Sequence, residues 1–205
     1  MIDLVKIPYM KYYKHELEKS FDMQEVEKIK QISEKNYADL LKDCNDPSKI
    51  MLKFWLKKLA LPTIAVYRTM LSLGYEPDEA LKIIKNSLVN IAKKIAMPYR
   101  IMSYLPFSYQ ILRLEFNPKF YELIFPSPAW TSKVIENSSD KIVVYFNSCF
   151  FYKVFTHYGA PELTPSLCNM DNIMFSGLSK IIEFKRTKIL GNGDEVCNFQ
   201  LIRKK

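Results

Sequence analysis

Glycine is scarce in this chain, with 5 residues in 205. So little glycine leaves few positions for left-handed turns, or for a backbone that must close tightly around a phosphate. Neither G-x-x-x-x-G-K nor G-x-G-x-x-G occurs, so nucleotide binding has no motif behind it. No stretch of 18 apolar residues exists, so hydropathy gives no membrane-spanning helix. The opening "MIDLVKIPYMKYYKHELEKS" lacks the basic start and long apolar run of a secretory leader. In a chain without an export signal, the four cysteines (Cys44, Cys149, Cys168, Cys197) are expected as reduced thiols, and the expected compartment is the cytoplasm.

What is present reads as a packed domain. Hydrophobic residues make up 48% and charged residues 25%, a balance that argues against disorder. Aromatics are abundant, with 13 Phe and 13 Tyr. The formal charge is +8, and a basic surface attracts anions, nucleic acid and acidic lipid among them. The lysines, however, are scattered through helical stretches such as "KFWLKKLA" and "IAKKIAMPYR", which reads as a solvated helix surface. The expected partner is therefore a small anionic substrate, with no nucleic acid and no membrane; a homo-oligomer is compatible with the sequence.

The chain reads as a single α+β domain over residues 1–205. Residues 1–125 form a mainly helical part, and residues 126–205 form a sheet module carrying the candidate site. Residues 22–44 place Val26, Ile29, Ile32 and Leu40 near helical spacing. Residues 47–74 are strongly apolar, with Pro62 expected to kink or split the helix and Gly74 to end it. A new helix starts at Pro77 with acidic residues in its first turn, and residues 98–116 read as helix broken near Pro106. The proline-rich residues 115–130 read as a connection. Beyond them the period changes. "TSKVIENSSDKIVVYFNS" reads as two strands around Asn-Ser-Ser-Asp. "KIIEFKRTKILGNGDEVCNFQLIRKK" reads as a hairpin turning at Gly-Asn-Gly-Asp. Helices are expected at 150–158 and 162–177, giving an antiparallel ββααββ module behind an N-terminal helical layer.

Candidate chemistry concentrates in residues 145–199. Cys168 and Asp171 are three apart on an expected helix and so share a face, with Asn172 pointing in a similar direction. Cys149 falls where a strand gives way to a helix, and free N–H groups there would lower its thiol pKa. Cys197, on the last strand with Phe199 and Leu201, suggests a buried and inert thiol. Free cysteine commonly packs as a small hydrophobe, so core filling is the competing reading for each thiol. Buried aspartate is rare without a partner or a task, which singles out Asp171. His157 lies eight residues after Cys149, too far along a straight helix for a direct pair. Cys149, Cys168, Cys197 and His157 add up to four zinc ligands, yet no two have the close spacing of a structural site. No metal and no cofactor are expected.

The order of these motifs resembles the L-2-amino-thiazoline-4-carboxylic acid hydrolase family. The resemblance rests on Cys149 after a strand, "GAPEL" from Gly159 to Leu163, and Cys168 with Asp171. It also rests on Arg186-Thr187 and on Gly193, Cys197 and Phe199. It extends upstream to about residue 47 through "LPTIAVYRTMLSLGYEPDEALKII". One departure stands out: Ala129 precedes Trp130 where a Gly is expected, which alters the pocket edge. The resemblance implies hydrolytic opening of a cyclic amidine, such as an aminothiazoline carboxylate, to a carbamoyl cysteine. Cys149, Cys168 and Asp171 are then the catalytic candidates, with either a cysteine as nucleophile or Asp171 activating water. Arg186 is suited to the substrate carboxylate, with Asn172, His157 and Cys197 as further substrate-binding candidates. The alternative is a non-catalytic small-molecule-binding module of the vinyl-reductase-like type, which the closing Gly-x-x-x-Cys-x-Phe hairpin also resembles.

Overall fold

The computed structural model describes residues 6–204. The first five residues, part of the stretch read as lacking a leader, lie outside the described residues. Two compact units emerge from the chain's contacts. One holds the described residues up to Ile91 together with Val154–Ser166; the other holds Ala92–Lys153 and the described residues from Leu167 onward.

The first unit is built from α1 (Met10–Leu17), α2 (Met23–Asp43), α3 (Ile50–Trp55), α4 (Leu61–Ser72) and most of α5 (Pro77–Ile95). Asp22 starts α2 by accepting the N–H groups of Gln24 and Glu25 at 3.0 and 2.9 Å, satisfying donors that the first turn leaves free. The apolar stripe of α2 then buries Val26, Ile29, Tyr37 and Leu40. At Pro62 the helix is not split into separated pieces. The chain instead widens into a π-helical segment, Leu56–Ala60, and runs on as α4. Pro62 has no N–H and its ring crowds the carbonyl four residues back, so a wider turn just ahead of it relieves both problems. Gly74, at φ +88°, ends α4 with Gly74 N–H bonded to Leu71 O and Tyr75 N–H to Met70 O. Gly159, at φ +65°, repeats the device after α9 (Phe150–His157), with Ala160 N–H reaching Phe155 O at 2.8 Å. These two scarce glycines thus sit where a side chain would be strained.

The second unit carries the sheet. Strands β1 (Thr131–Asn137), β2 (Lys141–Ser148), β3 (Ile182–Lys185) and β4 (Cys197–Arg203) lie in the order β1-β2-β4-β3, with every pairing antiparallel. With α9 and α10 (Thr164–Ser176) between the strand pairs, the chain order is ββααββ, and the fold is α+β. Among the described residues no strand precedes β1. Residues 115–130 are not merely a connection: they contain α8 (Pro118–Ile124). The signal was Asn-Pro, since Asn117 accepts the Lys119 N–H and Pro118 takes the first helical position, where no N–H is needed. The β3–β4 connection is also longer than a Gly-Asn-Gly-Asp turn. It occupies residues 186–196 and includes a 3₁₀ turn, Leu190–Asn192. Helices α6 (Met97–Met102) and α7 (Ser108–Glu115) complete the unit, broken on either side of Pro106.

Register decides what meets inside. Phe146 pairs with Cys197, Val144 with Phe199 and Ile142 with Leu201, so one face of β2 and β4 presents a continuous apolar surface. Aromatic rings continue it: Phe146 lies 5.0 Å from Phe199 and 5.2 Å from Phe125, and Phe199 lies 5.3 Å from Phe184.

A buried hydroxyl pair in the first unit gives a direct test of packing. Tyr13 Oη and Thr63 Oγ1 are 2.9 Å apart, and Thr63 Oγ1 donates to Leu59 O at 2.7 Å. Tyr13→Phe leaves the Thr63 bond intact and should cost less than about 1.5 kcal/mol. Thr63→Val strands the buried tyrosine hydroxyl and should cost about 1–3 kcal/mol. Chemical unfolding of both single variants and the double variant checks this, the double being expected to recover part of the Thr63→Val loss.

Candidate active site

Four elements of the second unit bring their chemistry to one small cavity of about 80 Å³. Cys149 follows β2 at once and its carbonyl accepts the Lys153 N–H at 3.1 Å, so it caps α9. Cys168 and Asp171 lie one turn apart on α10. Cys197 opens β4, and Arg186 leaves the end of β3. All five line the cavity, together with Phe146, Phe199 and four other apolar residues, Trp130 among them. At about 10–15 Å³ for each water-sized group, the space holds roughly five to eight of them, the size of a small ring.

Arg186 fixes the arrangement. Its side chain is 3% exposed; Nη1 donates to Asp171 Oδ2 at 2.7 Å and Nη2 to the Cys168 carbonyl at 2.8 Å. The guanidinium carbon sits 5.3 Å from the Phe199 ring centre, within cation–π range. Nε is buried and has no partner. The backbone beyond Arg186 is held by Asn198, a residue that sequence reasoning missed. Its Oδ1 accepts the N–H groups of Thr187 and Lys188 at 2.9 and 2.7 Å, and its Nδ2 donates to Thr187 Oγ1 at 2.8 Å. Strand alternation marked Asn198 as facing away from Cys197 and Phe199, and nothing local signalled that it clamps a distant loop.

Burial dominates the electrostatics. Asp171, one-third accessible and lining the cavity, is pushed up to about 6 by burial, while the charge and hydrogen bond of Arg186 oppose the rise. The expectation for Cys149 is reversed. The N–H groups of Phe151 and Tyr152 do act to lower its pKa, but burial outweighs them and the thiol rises to about 11. Cys168 is raised by burial and by the neighbouring Asp171 charge. Cys197 is raised by burial too, although Leu190 N–H donates to its sulfur at 3.1 Å. Far from being isolated packing, Cys197 faces the same space as the other two thiols.

Two candidates fall elsewhere. Asn172 is exposed and donates to Asn169 Oδ1, because the hundred-degree step from Asp171 turns it off the cavity face. His157, at the end of α9, is exposed with its ring against Tyr158, and it is not among the lining residues. Among the described residues no group of three or more His, Cys, Asp or Glu is arranged to hold a metal ion.

The model of the L-2-amino-thiazoline-4-carboxylic acid hydrolase family matches residues 53–201. The chain belongs to this family. The matched span contains every residue lining the cavity, so a family of hydrolases is matched over the whole site. No curated protein matches the chain.

The pair sets a pH dependence. A folded pKa of about 6 against an ordinary 3.8 means that the folded state holds more protons between those values. Asp171 therefore contributes stability that is present below pH 4 and lost as pH rises towards 6. Asp171→Asn should remove this downward slope, seen as the difference between the two melting-temperature profiles. Arg186→Met should strip the carboxylate of its cation and cost near the lower end of about 3–5 kcal/mol at pH 7, since Asp171 keeps partial access to solvent.

Proposed function

We propose that this hydrolase opens a small cysteine-derived cyclic amidine of the 2-amino-thiazoline-4-carboxylate type, giving a carbamoyl cysteine. The observation carrying this reading is a carboxylate on the wall of a small aromatic cavity, held there by a buried arginine. The electrophilic centre of such a ring is C2, bonded to sulfur and two nitrogens. In the proposed reaction Asp171 takes a proton from water as the water oxygen bonds to C2. In this addition the electron pair of the C2=N bond moves onto the ring nitrogen. The C2–S bond then breaks with its pair on sulfur, and the sulfur takes the proton from Asp171. The remaining hydroxyl proton passes to the ring nitrogen, and C2 keeps its new oxygen as a urea carbonyl.

The other groups find roles around that step. A base working near neutral pH is most effective with a pKa close to it, and Asp171 at about 6 meets this condition. The raised thiols of Cys149, Cys168 and Cys197 stay protonated near neutral pH and act as weak donors towards the ring and its leaving sulfur. Arg186 gives one N–H from each terminal nitrogen to Asp171 and the Cys168 carbonyl, and its remaining N–H groups are its donors for the substrate carboxylate. A second mechanism is favoured by one feature: the Phe151 and Tyr152 N–H groups around Cys149 would support its thiolate during attack on C2, with Asp171 as the proton acceptor.

Steady-state turnover of an aminothiazoline carboxylate tests the proposal. Asp171→Asn should lower kcat by about 10²-fold or more when assayed well below its own melting temperature, on protein shown to be folded. In the wild type, turnover should rise with pH through about 6 as Asp171 ionises. Cys149→Ala separates the mechanisms: retention of most turnover supports water activation, whereas a loss as deep as that of Asp171→Asn makes Cys149 the nucleophile. Full activity in Asp171→Asn sinks both. Tight binding without turnover in the wild type would instead make this a small-molecule-binding module.

A further inference from the structure

In the second unit α6 buries no residue, whereas α7 and α8 are apolar on both sides. Inward they bury Tyr109, Leu112, Phe116 and Tyr121. Outward, Met97, Ile101 and Leu105 recur every four residues and are 50–60% exposed. Phe107, the left-handed residue just before α7, is 75% exposed, Ile111 and Leu114 follow it on α7, and α8 adds Phe120 and Leu123. Soluble proteins rarely leave so many large apolar side chains open within one short stretch unless something covers them.

The charge around them is mostly positive. From Ala92 to Leu114 the chain carries Lys93, Lys94, Arg100 and Arg113 and no Asp or Glu. Two acids follow: Glu115 accepts the Tyr99 hydroxyl and Glu122 accepts the Ser127 N–H and hydroxyl. Arg113 donates to Asn137 and Lys119 adds a further cation, so the balance stays positive. Further cations join from the end of the sheet. Lys180 Nζ stands 3.4 Å from the Tyr104 ring centre, and Lys180, Arg203 and Lys204 border a hollow that opens on Phe107 and Ser108.

We infer that this face lies on an anionic lipid surface, its apolar side chains sunk among the acyl chains and its cations against the headgroups. Apolar side chains rimmed by Lys and Arg are the chemistry of a helix lying in the membrane interface. No helix among the described residues is long and apolar enough to cross a membrane, so the contact is with the surface. A second copy fits less well. A two-fold contact of this face with itself sets cations against cations. A contact with α2 offers the exposed apolar residues a polar partner of mixed charge, since Met23 is the one large apolar side chain that α2 leaves open.

Sedimentation with vesicles tests this on the full chain. The protein should pellet with vesicles of phosphatidylcholine and phosphatidylglycerol, far less with phosphatidylcholine alone, and less as salt rises. Ile101→Ser/Phe107→Ser and Lys93→Gln/Lys94→Gln should each weaken binding by on the order of tenfold or more. Both variants should keep the wild-type melting temperature, because the altered side chains are exposed. No pelleting with anionic vesicles overturns the inference, as does equal pelleting of wild type and variants. A lipid-free dimer seen by light scattering and dispersed by Ile101→Ser/Phe107→Ser overturns it too, since a second copy would then cover the face.

Discussion

The contact between Arg186 and Asp171 is the constraint on which the second unit's cavity depends. A guanidinium with 3% of its side chain exposed is costly to bury, and it is tolerated because its terminal nitrogens meet a carboxylate and a carbonyl. Those two acceptors belong to one turn of α10, so the arginine ties that helix to the edge of the sheet. The same bonds set where Cys168 and Asp171 face. Removing the cation would therefore disturb geometry and charge together.

Aromatic packing supplies the walls. The run from Phe125 through Phe146 and Phe199 to Phe184 keeps ring centres about 5 Å apart, filling the space between sheet and helices with stiff groups. Stiff walls leave a defined void, where flexible side chains would collapse into it. The polar groups then work in surroundings poor in water. This is why carboxylate and thiols alike are shifted towards their neutral forms.

That shift explains why position along the chain misleads for Cys149. A helix N-terminus lowers a thiol's pKa through free N–H groups, a short-range and partial effect. Loss of solvent acts on the whole charge, and here it wins. The neighbouring Asp171 adds a like charge that further disfavours a thiolate, most strongly at Cys168 on the same helix face.

Much of the fold was legible because its signals are local. The shift from helical to alternating period located the four strands, Gly74 ended α4, and three-residue spacing put Cys168 and Asp171 together. Helix α8 was missed because prolines and aromatics obscured a short Asn-Pro start. The long β3–β4 connection was missed because its path follows from the Asn198 clamp, contacts between residues ten and eleven apart in a turn of no regular type. The cavity residues Cys149, Cys168, Asp171 and Arg186 could be nominated from sequence, whereas Asn172 and His157 could not be sorted out from them. What the sequence by itself determined was therefore which residues share a face within one element, since backbone period sets that alone. Which faces meet, that Arg186 spends its charge on Asp171, and that Cys197 joins the other thiols were decided only by tertiary structure. Register, burial and the aromatic walls arise from residues far apart in the chain, and no local pattern encodes them.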